Sequence, residues 1–380
     1  MKIGIEGQRL FRKKKHGMDL VALEVIRQLQ HLDTDNEYVI FIRPDEDNRC
    51  LEETENVRIR ELSGGPYPFW EQIVLPRAAK AEGCDILHCT SNTAPVHTSV
   101  PTIITLHDII YLESITMRKS GGTLYQRLGN LYRKWNVPKV IKKAHKIITV
   151  SHYEKKRIDR HFGFSDQKVV VVYNGVGEHF KKIKDQHDLE EIRQKYKLPE
   201  HFLFFLGNTD PKKNTTNVLR AYAHYLSHNK PVPLVMPDFG EENLKAILQS
   251  IRKPEIRKHI QLTGYIVNSD LPAIYNLCDV FLYPSLRESF GIPILEAMAS
   301  GAPVITSNTA SMPEVSAGAA YIVDPRNPED ISLGISRLVN DHSLREENIG
   351  KGFSRAQEFS WNNTAKETLE IYNQLKNNQT

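Results

Sequence analysis

Val280-Phe281-Leu282-Tyr283-Pro284-Ser285-Leu286-Arg287-Glu288-Ser289-Phe290-Gly291-Ile292-Pro293-Ile294-Leu295-Glu296-Ala297-Met298-Ala299-Ser300-Gly301 is the stretch that decides the fold. Val280 to Tyr283 reads as a short apolar strand. Pro293 sits where the first helical residue falls and Gly301 just past the last, the asymmetry that brackets a short helix. The loop between them aims the backbone N–H groups of Ser289, Phe290, Gly291 and Ile292 at whatever lies above the sheet. A helix start of this kind favours an anion, most often a phosphate. Glu288 hangs from the loop at the mouth, and Glu296 lies about one turn into the helix. Two carboxylates bracketing an anion site make sense when they hold hydroxyl groups. The ligand that fits is a sugar nucleotide, with sugar and ribose hydroxyls for the acids and phosphates for the amides. The alternative is a capped amphipathic helix carrying two solvated acids.

Outward from this stretch, strand-like and helix-like runs alternate. Ile3-Gly4-Ile5, Tyr38 to Ile42, Val57 to Ile59, Ile86 to His88, Thr102 to Leu106, Ile147 to Ser151 and Val169 to Tyr173 are the strands of a first half. Helical patterns lie between them at Leu20 to Leu29 and Glu71 to Ala81. Phe202 to Gly207 opens a second half. Its strands recur at Pro233 to Met236, His259 to Leu262, Val280 to Tyr283, Pro303 to Thr306 and Ala320 to Val323. Near-continuous β-branched strands alternating with helices predict an α/β fold with doubly wound parallel sheets. The polar segment from Gly177 to about Glu200 reads as the connection between the halves.

Glu288 and Glu296, with seven residues and the core Ser-Phe-Gly-Ile-Pro-Ile between them, resemble the Glu-x7-Glu motif of the retaining glycosyltransferase family 4. Ala297 to Ile305 resembles the same family. The resemblance implies the GT-B fold, two Rossmann-like domains facing across a cleft. Residues 1–176 would form the acceptor side and 177–360 the nucleotide-sugar side, with a final helix, 361–380, packing back on the first. It implies transfer of a sugar from a nucleotide diphosphate sugar to an acceptor hydroxyl with retention.

Other motifs fall into place around it. Thr105-Leu106-His107-Asp108 sits at the carboxyl end of a strand, where ligands bind in open α/β sheets. Alone it reads as a locally bonded histidine with Asp108 capping the next segment. By resemblance His107 touches the transferred sugar. In Leu206 to Asn214, Gly207 permits close backbone approach, and Lys212 and Lys213 can neutralise a diphosphate. This resembles the family's glycine–lysine phosphate loop: Lys213 matches its lysine, and Lys212 and Asn208 stand where subgroups carry arginine. Lysine lacks the bidentate fork, so which residue grips which phosphate stays open, and a solvated Pro-Lys-Lys turn is the plain alternative. In Lys13 to Asp19, Gly17 matches one of two glycines that the family places beside the donor, while Asp19 replaces the second. An acid beside a diphosphate would repel it, so Asp19 is expected to meet the acceptor or cap the helix. Leu262 to Ile266 resembles the turn lining the nucleobase pocket, which would put Tyr265 and Ile266 there; an ordinary strand-to-helix turn is the alternative.

Composition bounds the rest. The chain has 380 residues, 40% hydrophobic and 25% charged, with a net charge of +4. This suits two globular domains and carries no field for nucleic acid. No run is long enough for a membrane span or a signal peptide, so the expected location is cytoplasmic. The basic helical region with Arg118, Lys119, Arg127, Arg133, Lys134, Lys139, Lys142 and Lys143 carries Tyr125, Leu128, Leu131, Tyr132 and Trp135. It suits peripheral contact with the inner face of the plasma membrane, or is a solvated face. Asp33-Thr34-Asp35 and Asp45-Glu46-Asp47 read as solvated turns rather than metal sites. Cys84 and Cys89 are placed on opposite faces of one strand, against a shared metal. No metal and no cofactor are expected; a UDP-, GDP- or ADP-sugar would be substrate, and the acceptor a glycan or lipid-linked glycan. The rivals are a GT-B phosphorylase or nucleotide-sugar epimerase, a two-carboxylate glycoside hydrolase, and a silent nucleotide-sugar binding module.

Overall fold

The computed structural model describes residues 1–13, 15, 17–112, 124–164 and 167–377, and every count below is of these. The chain divides into two compact units, Met1–Gly175 with Trp361–Thr380, and Val176–Ser360.

In the first unit the chain runs β1 (Lys2–Glu6), α1 (Gly17–Leu32), β2 (Glu37–Ile42), β3 (Val57–Glu61), α2 (Tyr67–Phe69), a π turn (Trp70–Val74), α3 (Leu75–Ala81), β4 (Ile86–Cys89) and β5 (Thr102–Thr105). It continues with α4 (Leu124–Lys143), β6 (Lys146–Thr149), α5 (His152–Phe162) and β7 (Val169–Val171). The seven strands pair in the order β3-β2-β1-β4-β5-β6-β7. Every pairing is parallel, with Gly4 of β1 opposite Leu87 of β4. Strand order reverses between β1 and β4, the point where a doubly wound sheet opens a crevice at its carboxyl edge. The inner strands are apolar on both faces because both are covered, while edge strand β3 exposes Arg58, Arg60 and Glu61. Ile3, Ile5 and Ile86 pack on one side, and Val39, Leu87 and Ile104 on the other.

The second unit runs α6 (Gln186–Tyr196), β8 (Leu203–Phe205), α7 (Thr215–His228), β9 (Leu234–Met236), α8 (Glu241–Ser250), β10 (Ile260–Leu262), α9 (Leu271–Leu277) and β11 (Val280–Tyr283). It ends with α10 (Ile292–Ala299), β12 (Val304–Ser307), α11 (Met312–Ser316), β13 (Tyr321–Val323), α12 (Pro328–Asn340) and α13 (His342–Ala356). Its parallel sheet has the order β10-β9-β8-β11-β12-β13, so the reversal falls between β8 and β11. The last helix, α14 (Trp361–Asn377), belongs to the first unit. It packs Ala365, Ile371, Tyr372 and Leu375 into the same cluster as Ile3, Ile26 and Leu29.

Several local readings need correction. The helix expected around Glu71 to Ala81 starts at Tyr67 and passes through the π turn, which its sequence does not signal. Cys84 and Cys89 share one core cluster, because the strand begins only at Ile86 and Cys84 is turned by the preceding residues, with Gly83 at φ 69°. Asp33 is buried rather than solvated. Its carboxylate accepts hydrogen bonds from Asn36 and Tyr38, so it closes a turn inside the fold. Asp47 pairs with Lys15. Among the described residues no group of three or more His, Cys, Asp or Glu side chains is arranged to hold a metal ion. No helix among them is long and apolar enough to cross a membrane. Arg118 and Lys119 lie outside the described residues, as do the side chains of Tyr125 and Arg127.

Candidate active site

In the second unit the site is built where strand order reverses. β8 and β11 pair side by side, Phe204 opposite Phe281, so the segments leaving their carboxyl ends start as neighbours. Gly207 follows β8, and any Cβ there would lie 2.3 Å from the Phe205 ring, so only glycine fits. Asp210 caps a 3₁₀ turn, Pro211–Lys213. Asn214 then takes a left-handed backbone, φ 63°. A non-glycine residue pays about 1 kcal/mol or more for this conformation. In return its amide donates to the carbonyls of Pro284 at 3.0 Å and Pro325 at 2.6 Å. Leu286 N donates to Lys212 O at 2.7 Å. The lysine loop and the glutamate loop are thereby fixed to each other.

The glutamate loop is held from its other side by hydroxyls. Thr306 donates to Tyr283 O, Ser307 to Ser285 O, Thr309 to Leu286 O, and Ser311 to both Glu288 O and Phe290 O. Sequence reading missed this ladder. The carbonyls are satisfied on one side, and the loop delivers the chain to Gly291, φ 107°, at the N-cap of α10. Ile292 and not Pro293 is the first helical residue, with Pro293 second, and Gly301 ends the turn at φ 84°.

Lys213 and Glu288 meet directly. Lys213 Nζ donates to Glu288 Oε1 at 2.7 Å and to Tyr283 OH at 2.9 Å. The two charged side chains are only 17% and 12% exposed. Glu296 is half-buried, and Tyr275 OH donates to its Oε2 at 3.3 Å. Burial pushes its carboxyl up to about 7, against that bond's opposite pull. Ser289, Phe290 and Gly291 lie in the loop as expected. Lys212 is 3.9 Å from Asp210, and the Asn208 side chain accepts from Asp210 N, so both belong to the lysine loop's own turn. At the end of β10, Gly264 is left-handed at φ 73°. Tyr265 is exposed while the Ile266 side chain is buried in the core, so only the backbone of Ile266 can meet a ligand.

In the first unit His107 follows β5. It is buried, and Nε2 donates to Thr90 O at 3.1 Å, which fixes the tautomer and leaves Nδ1 as the acceptor. Its main-chain N donates to Asn92 Oδ1 at 2.6 Å. Burial lowers the imidazole's pKa, and the Thr90 bond and the charges of Asp108 and Asp19 oppose this. Asp19, which replaces the expected glycine, is therefore buried on α1 within electrostatic reach of His107. Beneath His107 lies a cavity of about 30 Å³ lined by His88, Thr90, Thr105, Asn174 and Tyr372 among others. That is room for about one water. Gly17 begins α1, with open space where a Cβ would stand. Nothing in the sequence singled out Glu71, on the π turn. Its buried carboxyl accepts from Tyr67, Gln72, Thr93 and Tyr132.

Two parallel Rossmann-like sheets, each with a reversal of strand order at its centre, make the GT-B fold. The family described as Glycosyl transferases group 1 matches residues 186–355, and Glycosyltransferase Family 4 matches residues 16–179. The chain belongs to glycosyltransferase family 4. O-antigen chain mannosyltransferase B of Escherichia coli is 29% identical over 246 residues, 64% of this chain and 64% of that protein. Serotype-specific mannosyltransferase WbdA of Escherichia coli is 29% identical over 237 residues, 61% of this chain and 29% of that protein. The chain thus covers less than two thirds of either relative. Anabaena HepE, solved with UDP and glucose, superposes with a TM-score of 0.73 at 17% identity, covering 98% of this chain and 100% of that one. WaaG, a glycosyltransferase involved in lipopolysaccharide biosynthesis, gives 0.70 at 15% identity, covering 97% and 99%.

Proposed function

We propose that the protein moves a hexose from a nucleotide diphosphate sugar to a hydroxyl of a growing glycan or lipid-linked acceptor, with retention and without a divalent metal. The observation that carries this is the second unit's reversal point, where Lys213, Glu288 and the start of α10 converge. Lys213, Lys212 and the helix start would stabilise charge building on the leaving diphosphate. Glu288 and His107 would position the sugar, and Glu296 the ribose. The mannosyltransferase names of the sequence relatives support a polysaccharide product, and the bound UDP and glucose of Anabaena HepE support the donor class.

A thermal-shift screen with UDP-, GDP- and ADP-sugars tests the donor class, since a ligand that binds only the native state raises Tm. One base is expected to raise it by several degrees. Transfer is expected to persist in excess EDTA; loss in EDTA with rescue by Mn²⁺ would overturn the metal-free reading. Product formed from donor alone would point to an epimerase, and cleavage of an oligosaccharide indifferent to nucleotide to a hydrolase.

We further propose that the acceptor is presented at an anionic membrane surface. On α4, Leu128, Leu131 and Trp135 are 58%, 65% and 47% exposed. Their spacing, three and then four residues, sets them in one stripe. Exposed Lys134 and Lys139 flank it, and Lys139 Nζ sits 4.1 Å from the Trp135 ring centroid. An apolar stripe edged by lysine is the pattern of a helix that lies in a lipid interface. The protein is expected to float with vesicles containing anionic lipid at low salt. Arg133→Ser with Lys134→Ser should reduce flotation several-fold, and absence of wild-type flotation would count against membrane presentation.

A further inference from the structure

Lys213 is already occupied by an anion of the protein's own. We propose that the Glu288 carboxylate is an internal stand-in for the donor diphosphate, and that Tyr283 is the positioning residue that keeps Lys213 in place while Glu288 gives way to phosphate. This rests on the donor reading above.

Lys213 bridges two groups. Lys213 Nζ donates to Glu288 Oε1 and to Tyr283 OH. Burial, and after it the negative charge of nearby Glu288, holds the Tyr283 phenol protonated. An ammonium only donates, so the phenol oxygen accepts from the lysine. Tyr283 is the rigid member. It closes β11, is 2% exposed, and stacks on Phe281 with ring centroids 5.7 Å apart. Lys213 Nζ also lies 4.7 Å from the Tyr283 ring centroid, close enough for cation–π attraction. The ring reaches under the helix start, since a Cβ built on Gly291 would lie 3.8 Å from Tyr283 Cε1. Lys213 and Glu288 are long side chains with several rotatable bonds, and the phenol has two.

The backbone of Glu288 does not need to move. Its carbonyl is pinned by Ser311 Oγ and by Arg287 Nη1, both at 3.1 Å. Exchange is therefore a rotation of the Glu288 side chain alone. A phosphate oxygen arriving at Lys213 replaces the carboxylate, so the lysine keeps a negative partner throughout. The freed carboxylate is then available to sugar hydroxyls only once the diphosphate is in place. Tyr283 holds Lys213 on both sides of the exchange.

The test is calorimetric titration of full-length wild type, Glu288→Gln, Tyr283→Phe and the double variant. The titrants are UDP, GDP and ADP without sugar, and Tm is recorded for each protein. Removing the competing internal anion should tighten nucleoside diphosphate binding in Glu288→Gln by about fivefold, the upper scale of a partly exposed ion pair. Tyr283→Phe keeps the ring and its packing and should weaken binding by a similar factor. In the Tyr283→Phe background the gain from Glu288→Gln should shrink below about twofold, a coupling that a purely structural tyrosine would not produce. Wild-type binding with Glu288→Gln unchanged or weaker overturns this inference alone. Additive effects in the double variant overturn the role of Tyr283. No binding of any of the three to wild type overturns the donor reading and this inference with it.

Discussion

Glu288→Gln lowers kcat for sugar transfer by roughly a hundredfold or more while affinity for the sugar nucleotide changes little. The residue hangs from a loop fixed to the lysine turn, and its carboxylate lies 2.7 Å from Lys213. Its contacts to the sugar would matter most as the sugar–phosphate bond breaks and positive charge grows on the ring. A group that acts chiefly in the transition state shows in kcat, and loss of one such stabiliser costs about 3 kcal/mol. Ground-state affinity is nearly preserved because a lost sugar contact is offset by an undisputed Lys213. Steady-state transfer beside donor titration measures both. A variant that keeps kcat and loses donor affinity would refute the assignment.

Glu296→Gln shows the complementary pattern. Glu296 is inside α10, and ribose, its proposed partner, is remote from the reacting centre. Uniform binding moves KM, so donor binding should weaken by about 1.5–3 kcal/mol with kcat nearly intact. A second signature is pH. Burial holds the Glu296 carboxyl at about 7, so below that pH it carries a proton and is a poorer acceptor for two ribose hydroxyls. Wild-type donor affinity should rise about tenfold between pH 6 and pH 8 as the carboxylate forms, and the Gln variant should be flat. Stability of the free protein runs the other way. The folded state keeps this proton where the unfolded chain loses it, so the penalty grows from the ordinary carboxyl range up to about pH 7 and then levels off. Glu296→Gln should therefore raise Tm more at pH 8 than at pH 5. Equal, small effects from both glutamates would return Glu288 to Gly301 to the status of a capped helix with two idle acids.

Local signals made the fold legible. Tyr38 to Ile42 and Val280 to Tyr283 are apolar on both faces because helices cover both faces, and no partner need be known to read that. Gly291, Pro293 and Gly301 punctuate one loop and helix within a dozen residues, so the anion-facing start could be read directly. What escaped reading depends on partners distant in sequence. Thr306, Ser307, Thr309 and Ser311 look like ordinary strand-end polar residues, yet they bond carbonyls 21–23 positions upstream. Tyr283 read as one more apolar strand residue because its ring is part of the core, and nothing in the strand pattern shows that its hydroxyl meets Lys213. Asp19 looked like a departure from a glycine pattern, but its place on α1 buries it within reach of His107. Asp33 looked like a solvated turn because Tyr38, which closes over it, belongs to the next strand.

The return of α14 to the first unit sets an order of manufacture. Residues 176–360 are contiguous and can close their core as they emerge during synthesis. The first unit is translated earlier but cannot finish, because Ala365, Ile371, Tyr372 and Leu375 complete the cluster that covers Ile3, Ile5 and Ile26. His88, beneath His107, waits for the same helix, since its Nδ1 bonds Tyr372 OH at 2.6 Å. The half made first is the last to close, and it carries uncovered apolar sheet for as long as the ribosome takes to reach α14. For this chain the hazard of aggregation during synthesis, and the need for a chaperone, fall on the N-terminal half.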